Sequence, residues 1–153
     1  MMPDLMLAMI KLVIVVGIQK TDSGSVIRFE QNESANLPSS NSDYPYYLKL
    51  AERSLERKHP VGVGLKGHEV TEFSRAEADI VSHLVDNRQK NRLEVGFQGH
   101  DGLFSLHHNH PEFGRIVDAL KVSLKEKKQI WFVAKKPLLA LQDAKFLAPP
   151  SPR

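Results

Sequence analysis

Residues 92–144, RLEVGFQGHDGLFSLHHNHPEFGRIVDALKVSLKEKKQIWFVAKKPLLALQDA, decide how the chain is read, because a second, worn copy of them lies between Leu12 and Ala76. The anchors are Val95-Gly96-Phe97-Gln98 and Val16-Gly17-Ile18-Gln19, each among alternating apolar residues, with Asp101 and Gly102 opposite Asp22 and Gly24. Ile27 and Phe29 then match Phe104 and Leu106, Asn32 matches Asn109, and Ser54-Leu55 matches Ser123-Leu124. Val61, Val63 and Leu65 match Ile130, Phe132 and Ala134, and Val70, Phe73 and Ala76 match Leu138, Leu141 and Ala144. A collinear order of strand, turn, helix and hairpin argues for duplication. Two copies imply a pseudo-two-fold, in which one chain does what a homodimer would do.

The expected fold is α+β: two pseudo-symmetric ββαββ units with antiparallel strands, over residues 9–73 and 92–147, joined by a connecting helix and linker at 74–91 and followed by a disordered tail at 148–153. In the first unit Leu12 to Gln19 reads as a strand covered on both faces, and Val26 to Gln31 as its return. Asn32 to Asp43 reads as a polar loop. Ser42 or Asp43 caps a helix opened by Pro45 and ended before His59-Pro60. Ser74-Arg75-Ala76-Glu77 has the form of a capping box, so a helix is expected to about Asp86, burying Ala78, Ile80, Val81, Leu84 and Val85.

The hydrophobic and charged fractions, 41% and 25% of 153 residues, suit one compact domain or two small lobes. The absence of cysteine excludes a disulfide framework, a thiolate metal site and a cysteine nucleophile, and fits the cytoplasm. The net charge of +3 is uneven: residues 1–74 hold 8 Lys/Arg and 9 Asp/Glu, giving −1, and residues 75–153 hold 13 and 9, giving +4. An anionic partner would therefore meet the second copy first. The apolar run Leu5 to Ile18 contains Lys11, follows Asp4 and is too short for a membrane span, so neither export nor membrane insertion is expected, and Met9 is an alternative start.

Three functional readings follow. The first is a small non-enzymatic binding or interaction module with a protein or small-molecule partner, using a groove between copies or exposed hairpin edges, and no cofactor. The second is nucleic-acid association through Lys121, Lys125 and Lys128, spaced to line one helix face, with Lys135 and Lys136 beside it. The third is a metal-dependent enzyme in which a divalent ion meets His108 and His110, on one face of a strand end, with Asp101 completing the set. Val61 to Gly67 is read as strand and turn, so its glycines form no phosphate loop, and no nucleophile elbow is present.

Overall fold

The computed structural model describes residues 9–135 and 139–146. The expected tail at 148–153, the segment before Met9 and Lys136 lie outside them. The described residues form twelve strands and two α-helices, an α+β chain that divides between Ala76 and Glu77 into two units. No helix among them is long and apolar enough to cross a membrane.

The first unit holds β1 (Ile10–Val13), β2 (Val15–Thr21), β3 (Gly24–Phe29), β4 (Glu33–Pro38), α1 (Tyr44–Arg57), β5 (Val61–Lys66) and β6 (Glu69–Ser74). Its sheet runs β1-β5-β6-β4-β3-β2. Only Ile14 separates β1 from β2, so the two ends of that order are halves of one bent strand, pairing with β5 through its first half and with β3 through its second. The sheet thus closes on itself as a five-stranded Greek-key barrel, with the fourth strand returning beside the first and the fifth parallel to the third. Ile27 and Phe29 of β3, Ala35 and Leu37 of β4, and Val63 and Phe73 of the last hairpin are buried with Leu50 and Ala51 of α1. Their alternation with outward Arg28 and Asn36 is the period-two pattern of strands covered on one face.

The second unit repeats this order with β7 (Glu77–Asp79), β8 (Val81–Asn87), β9 (Arg92–Phe97), β10 (His100–His107), α2 (Phe113–Glu126), β11 (Ile130–Lys135) and β12 (Ala140–Lys145), in a sheet running β7-β11-β12-β10-β9-β8. Only Ile80 lies between β7, which pairs with β11, and β8, which pairs with β9.

Three expectations are corrected. Residues 74–91 form no connecting helix or linker; they supply the bent strand of the second barrel and the short 3-10 turn Arg88–Lys90. Val81 is buried there, but Val85 is 52% exposed, because a strand sends it outward where a helix would have buried it. The sheets are mixed, since β4 pairs parallel to β6 and β10 parallel to β12. The unit is also longer than ββαββ, because the polar segment Glu33–Pro38 is a strand and the bent strand supplies two pairings.

The correspondence extends to single hydrogen bonds. At the bend of the first barrel the Val15 N–H donates to Ser54 Oγ at 3.0 Å, and that hydroxyl donates to the His59 carbonyl at 2.7 Å. At the bend of the second, Val81 N–H donates to Ser123 Oγ at 3.0 Å, and the hydroxyl donates to the Lys128 carbonyl at 2.7 Å. Each barrel has one register shift beside the bend, between Val15 and Gly17 and between Val81 and His83, and another in the last hairpin. The bent strand of the first unit therefore corresponds to residues 77–87, and Val16 to Gln19 stands opposite Ser82 to Val85. The expected match to Val95–Gln98 was one strand out of step.

Removing either hydroxyl leaves a buried backbone donor without its acceptor, a loss of about 1–3 kcal/mol. We expect Ser54→Ala and Ser123→Ala each to destabilise their own unit by that amount in urea unfolding. A change within about 0.5 kcal/mol, the size of an ordinary surface substitution, would contradict this role for the serine.

Candidate ligand clefts

Each barrel carries a cleft where the turn of its first hairpin meets the end of its third barrel strand. In the first unit it is about 310 Å³ and its lining includes Thr21, Ser23, Ser25, Ser39 and Ser40. In the second it is about 490 Å³ and is lined by Lys90, Asn91, His107, His108 and Asn109. The two clefts occupy corresponding positions: β3 and β4 pair Gly24 with Pro38 as β9 and β10 pair Arg92 with His107. One backbone bond frames each, Ser39 N–H to Ser23 O at 2.8 Å and His108 N–H to Asn91 O at 2.9 Å.

The turn of the second cleft is built locally. Asn87 ends β8 and accepts the Lys90 N–H through Oδ1 at 3.2 Å, shaping the 3-10 turn. Asn91 then reverses the chain at φ 54°, a left-handed conformation that asparagine tolerates better than most residues. The turn is two residues longer than its counterpart, which widens the cleft.

The charges around it are unequally engaged. Glu94 Oε2 accepts from Arg92 Nη2 at 3.2 Å and from Asn87 Nδ2 at 3.3 Å. Asp86 meets His108 Nε2 at 2.7 Å and Arg88 at 3.7 Å, and the His108 ring stands edge-on to Phe113. The Arg92 Nε–H is buried without an acceptor. Lys90 is exposed, and no ion pair among the described residues holds its ammonium.

The residues expected to bind metal do not converge. His108 turns to Asp86, whereas His110 accepts the Glu112 N–H at Nδ1 and reaches the Gln142 carbonyl from Nε2 at 2.7 Å, so both its ring nitrogens already have backbone partners. Asp101 is exposed on β10, toward the opposite end of that strand. Among the described residues no group of three or more His, Asp or Glu side chains could hold an ion. Lys121 and Lys125 are exposed on α2, Lys128 is exposed past its end with its ammonium 5.1 Å from the Phe146 ring centre, and Lys135 is half-buried at the end of β11. Lys90, Asn91 and Arg92 were not singled out from sequence as site residues. They come together with His107 only once Arg92 is known to pair with it, and the signal available beforehand was cationic or imidazole residues at both ends of one hairpin.

At the other end of β10, His100 closes the second barrel. Its Nδ1 lies 2.6 Å from Asp79 Oδ2 and its Nε2 3.4 Å from Glu77 Oε1, with Phe97, Phe104 and Phe132 edge-on around the ring. Asp79 also accepts the N–H groups of Ile80 at 2.6 Å and Gly99 at 2.7 Å. Burial disfavours the imidazolium, but hydrogen bonds to Asp79 and Glu77 and their charge outweigh it and raise the pKa of His100 above its ordinary 6.5. Burial likewise disfavours the Asp79 carboxylate, but the His100 bond, the two N–H groups and the imidazolium charge hold its pKa below the ordinary 3.8.

These shifts set a stability window. The raised His100 contributes fully below pH 6.5 and loses its contribution as pH rises through its folded pKa. The depressed Asp79 contributes above pH 3.8 and loses its contribution as pH falls through its folded pKa. We expect the second unit to unfold at lower urea concentration at about pH 9 than at about pH 6, and His100→Gln to flatten that dependence. Unchanged pH dependence in the variant, or a His100 ring titrating below 6.5 by NMR, would contradict the assignment.

No family model matches the chain, and neither the curated proteins nor the solved structures contain a match to it.

Proposed function

We propose that the chain is a non-enzymatic binding module of the cytoplasm, built from a doubled barrel, with its ligand sites in the two corresponding clefts. The observation that carries this reading is the placement of a polar cleft at the same junction in both units, framed by the same backbone bond. The shared strand order, serine bridges and register shifts support descent from one doubled unit, though not the ββαββ unit expected from sequence. A five-stranded Greek-key barrel with a helix between its third and fourth strands has the arrangement of the OB-fold, which holds ligands on one outer face and adjoining loops. Fold alone names no ligand. The closed strand order also moves the reading away from hairpin edges, since the two ends of each sheet meet in one bent strand.

A second reading, nucleic-acid association, is favoured by the exposure of Lys121 and Lys125 one turn apart on α2. It requires binding that weakens steeply with salt.

An amide-resolved NMR titration with a panel of sugars, nucleotides and amino acids tests the first reading. The responses are expected at Ser23 and Ser39, or at Asn91 and His107 to Asn109, and Ser39→Trp or Asn109→Trp should abolish those of the filled cleft. Responses confined to other surfaces, or absent throughout the panel, would refute it. Salt-sensitive oligonucleotide binding lost in Lys121→Glu/Lys125→Glu would favour the helix face.

A further inference from the structure

The two clefts differ in chemistry at each position where the barrels can be matched. Counting back from the return strand, Asp22, Ser23 and Gly24 of the first unit stand where the second has Lys90, Asn91 and Arg92. Across the hairpin, Pro38 and Ser39 stand where it has His107 and His108. A cleft lined by uncharged residues, most of them serine or threonine, thus corresponds to one lined by a lysine, two asparagines and two histidines.

The acids near the second cleft do not cancel this. Arg88, Lys90 and Arg92 outnumber Asp86 and Glu94 by one with the imidazoles neutral, and both carboxylates are already paired, Asp86 with Arg88 and His108, and Glu94 with Arg92 and Asn87. What remains on offer is donors. Lys90 is exposed with its ammonium in no ion pair among the described residues, and Asn91, His107, His108 and Asn109 line the cleft with it. A group that fills such a site presents several oxygens and negative charge, as a phosphate does.

Building on the reading of the clefts as ligand sites, we propose that the second-unit cleft binds a phosphate group, between Lys90 and Asn91 on one side and His107 on the other, while the first-unit cleft does not. The phosphate can come from a small ester or from a nucleic-acid backbone, since the cleft is open to solvent and recognises the group common to both.

The test is an amide-resolved NMR titration of the whole chain with inorganic phosphate, ionic strength being held constant with chloride, and parallel titrations with a short oligothymidylate and with glucose. Phosphate is expected to move Asn91 and His107 to Asn109 and to leave Ser23, Ser39 and Ser40 in place. Lys90→Glu/His107→Gln, both at exposed positions, should weaken that response about tenfold or more, the effect of losing a charge-assisted bond. Oligothymidylate acting on the same amides at lower concentration identifies the source as nucleic acid; phosphate acting alone identifies a small ester. Either result upholds the site. Equal responses in both clefts, an unchanged affinity in the double variant, or no response to phosphate overturns it. If glucose moves cleft amides and phosphate does not, the cleft remains a binding site and only its ligand class is refuted.

Discussion

Each barrel depends on a strand that must serve two partners. Residues 10–21 pair with β5 and then with β3, and residues 77–87 pair with β11 and then with β9. No flat ribbon does this, so the strand bends, and a backbone N–H at the bend is turned toward the helix. A buried serine oxygen accepts it, and the hydroxyl donates in turn to the carbonyl just beyond the helix end. Barrel closure and the seating of the helix are therefore one interaction. An unpaired donor at that depth costs more than a hydrogen bond ordinarily contributes, so the serine is tightly specified even though its bonds are individually modest.

Around that bend the two units solve the same contacts with exchanged residues. In the first, Gly17 lies beneath the Arg28 guanidinium; in the second, the paired positions hold His83 and Gly96, with the imidazole over the glycine. A side chain added at either glycine would meet the ring or guanidinium opposite, so one large and one absent side chain share the space. The ion pair from the first strand to the third is exchanged too. Lys11 meets Glu33 at 3.1 Å, and at the corresponding place Glu77 meets His100. The lysine pair is exposed and contributes little. The histidine is drawn inward among three phenylalanine rings and a second carboxylate, which makes the second unit's version of this contact sensitive to pH. The clefts have diverged in the same way, keeping their framing bond while changing what lines them.

Legibility followed burial. Both helices were readable because their apolar stripes recur at helical spacing and because Pro45, His59-Pro60 and Pro111 mark their limits. The strands after each helix were equally clear from alternation. β4 was hidden because Ala35 and Leu37 are its only inward residues of any apolar weight, set among Ser34, Asn36 and Pro38, a composition that reads as loop. β7 and β8 were hidden for the opposite reason. Their apolar residues fall at positions 78, 81, 84 and 85, which imitate a helix stripe behind a capping box, and only pairing with β9 and β11 reveals a strand with Val85 facing out. The histidines drew attention by adjacency in sequence, yet His108 and His110 are engaged with different partners, while the residues that do line a cleft come from two strand ends 16 to 19 residues apart in sequence, from Lys90 or Asn91 to His107 or Asn109. Strand pairing carries that information, and composition does not.

The most direct test is a nuclear Overhauser measurement across the bend of the second unit. Two barrels closed by bent strands require close approaches between the backbones of Ala78 and Trp131 and between those of Leu84 and Val95 in the same molecule. Sequential contacts of helical type through residues 77–86, without any approach of Ala78 to Trp131, would show a connecting helix there and remove the second barrel together with its cleft.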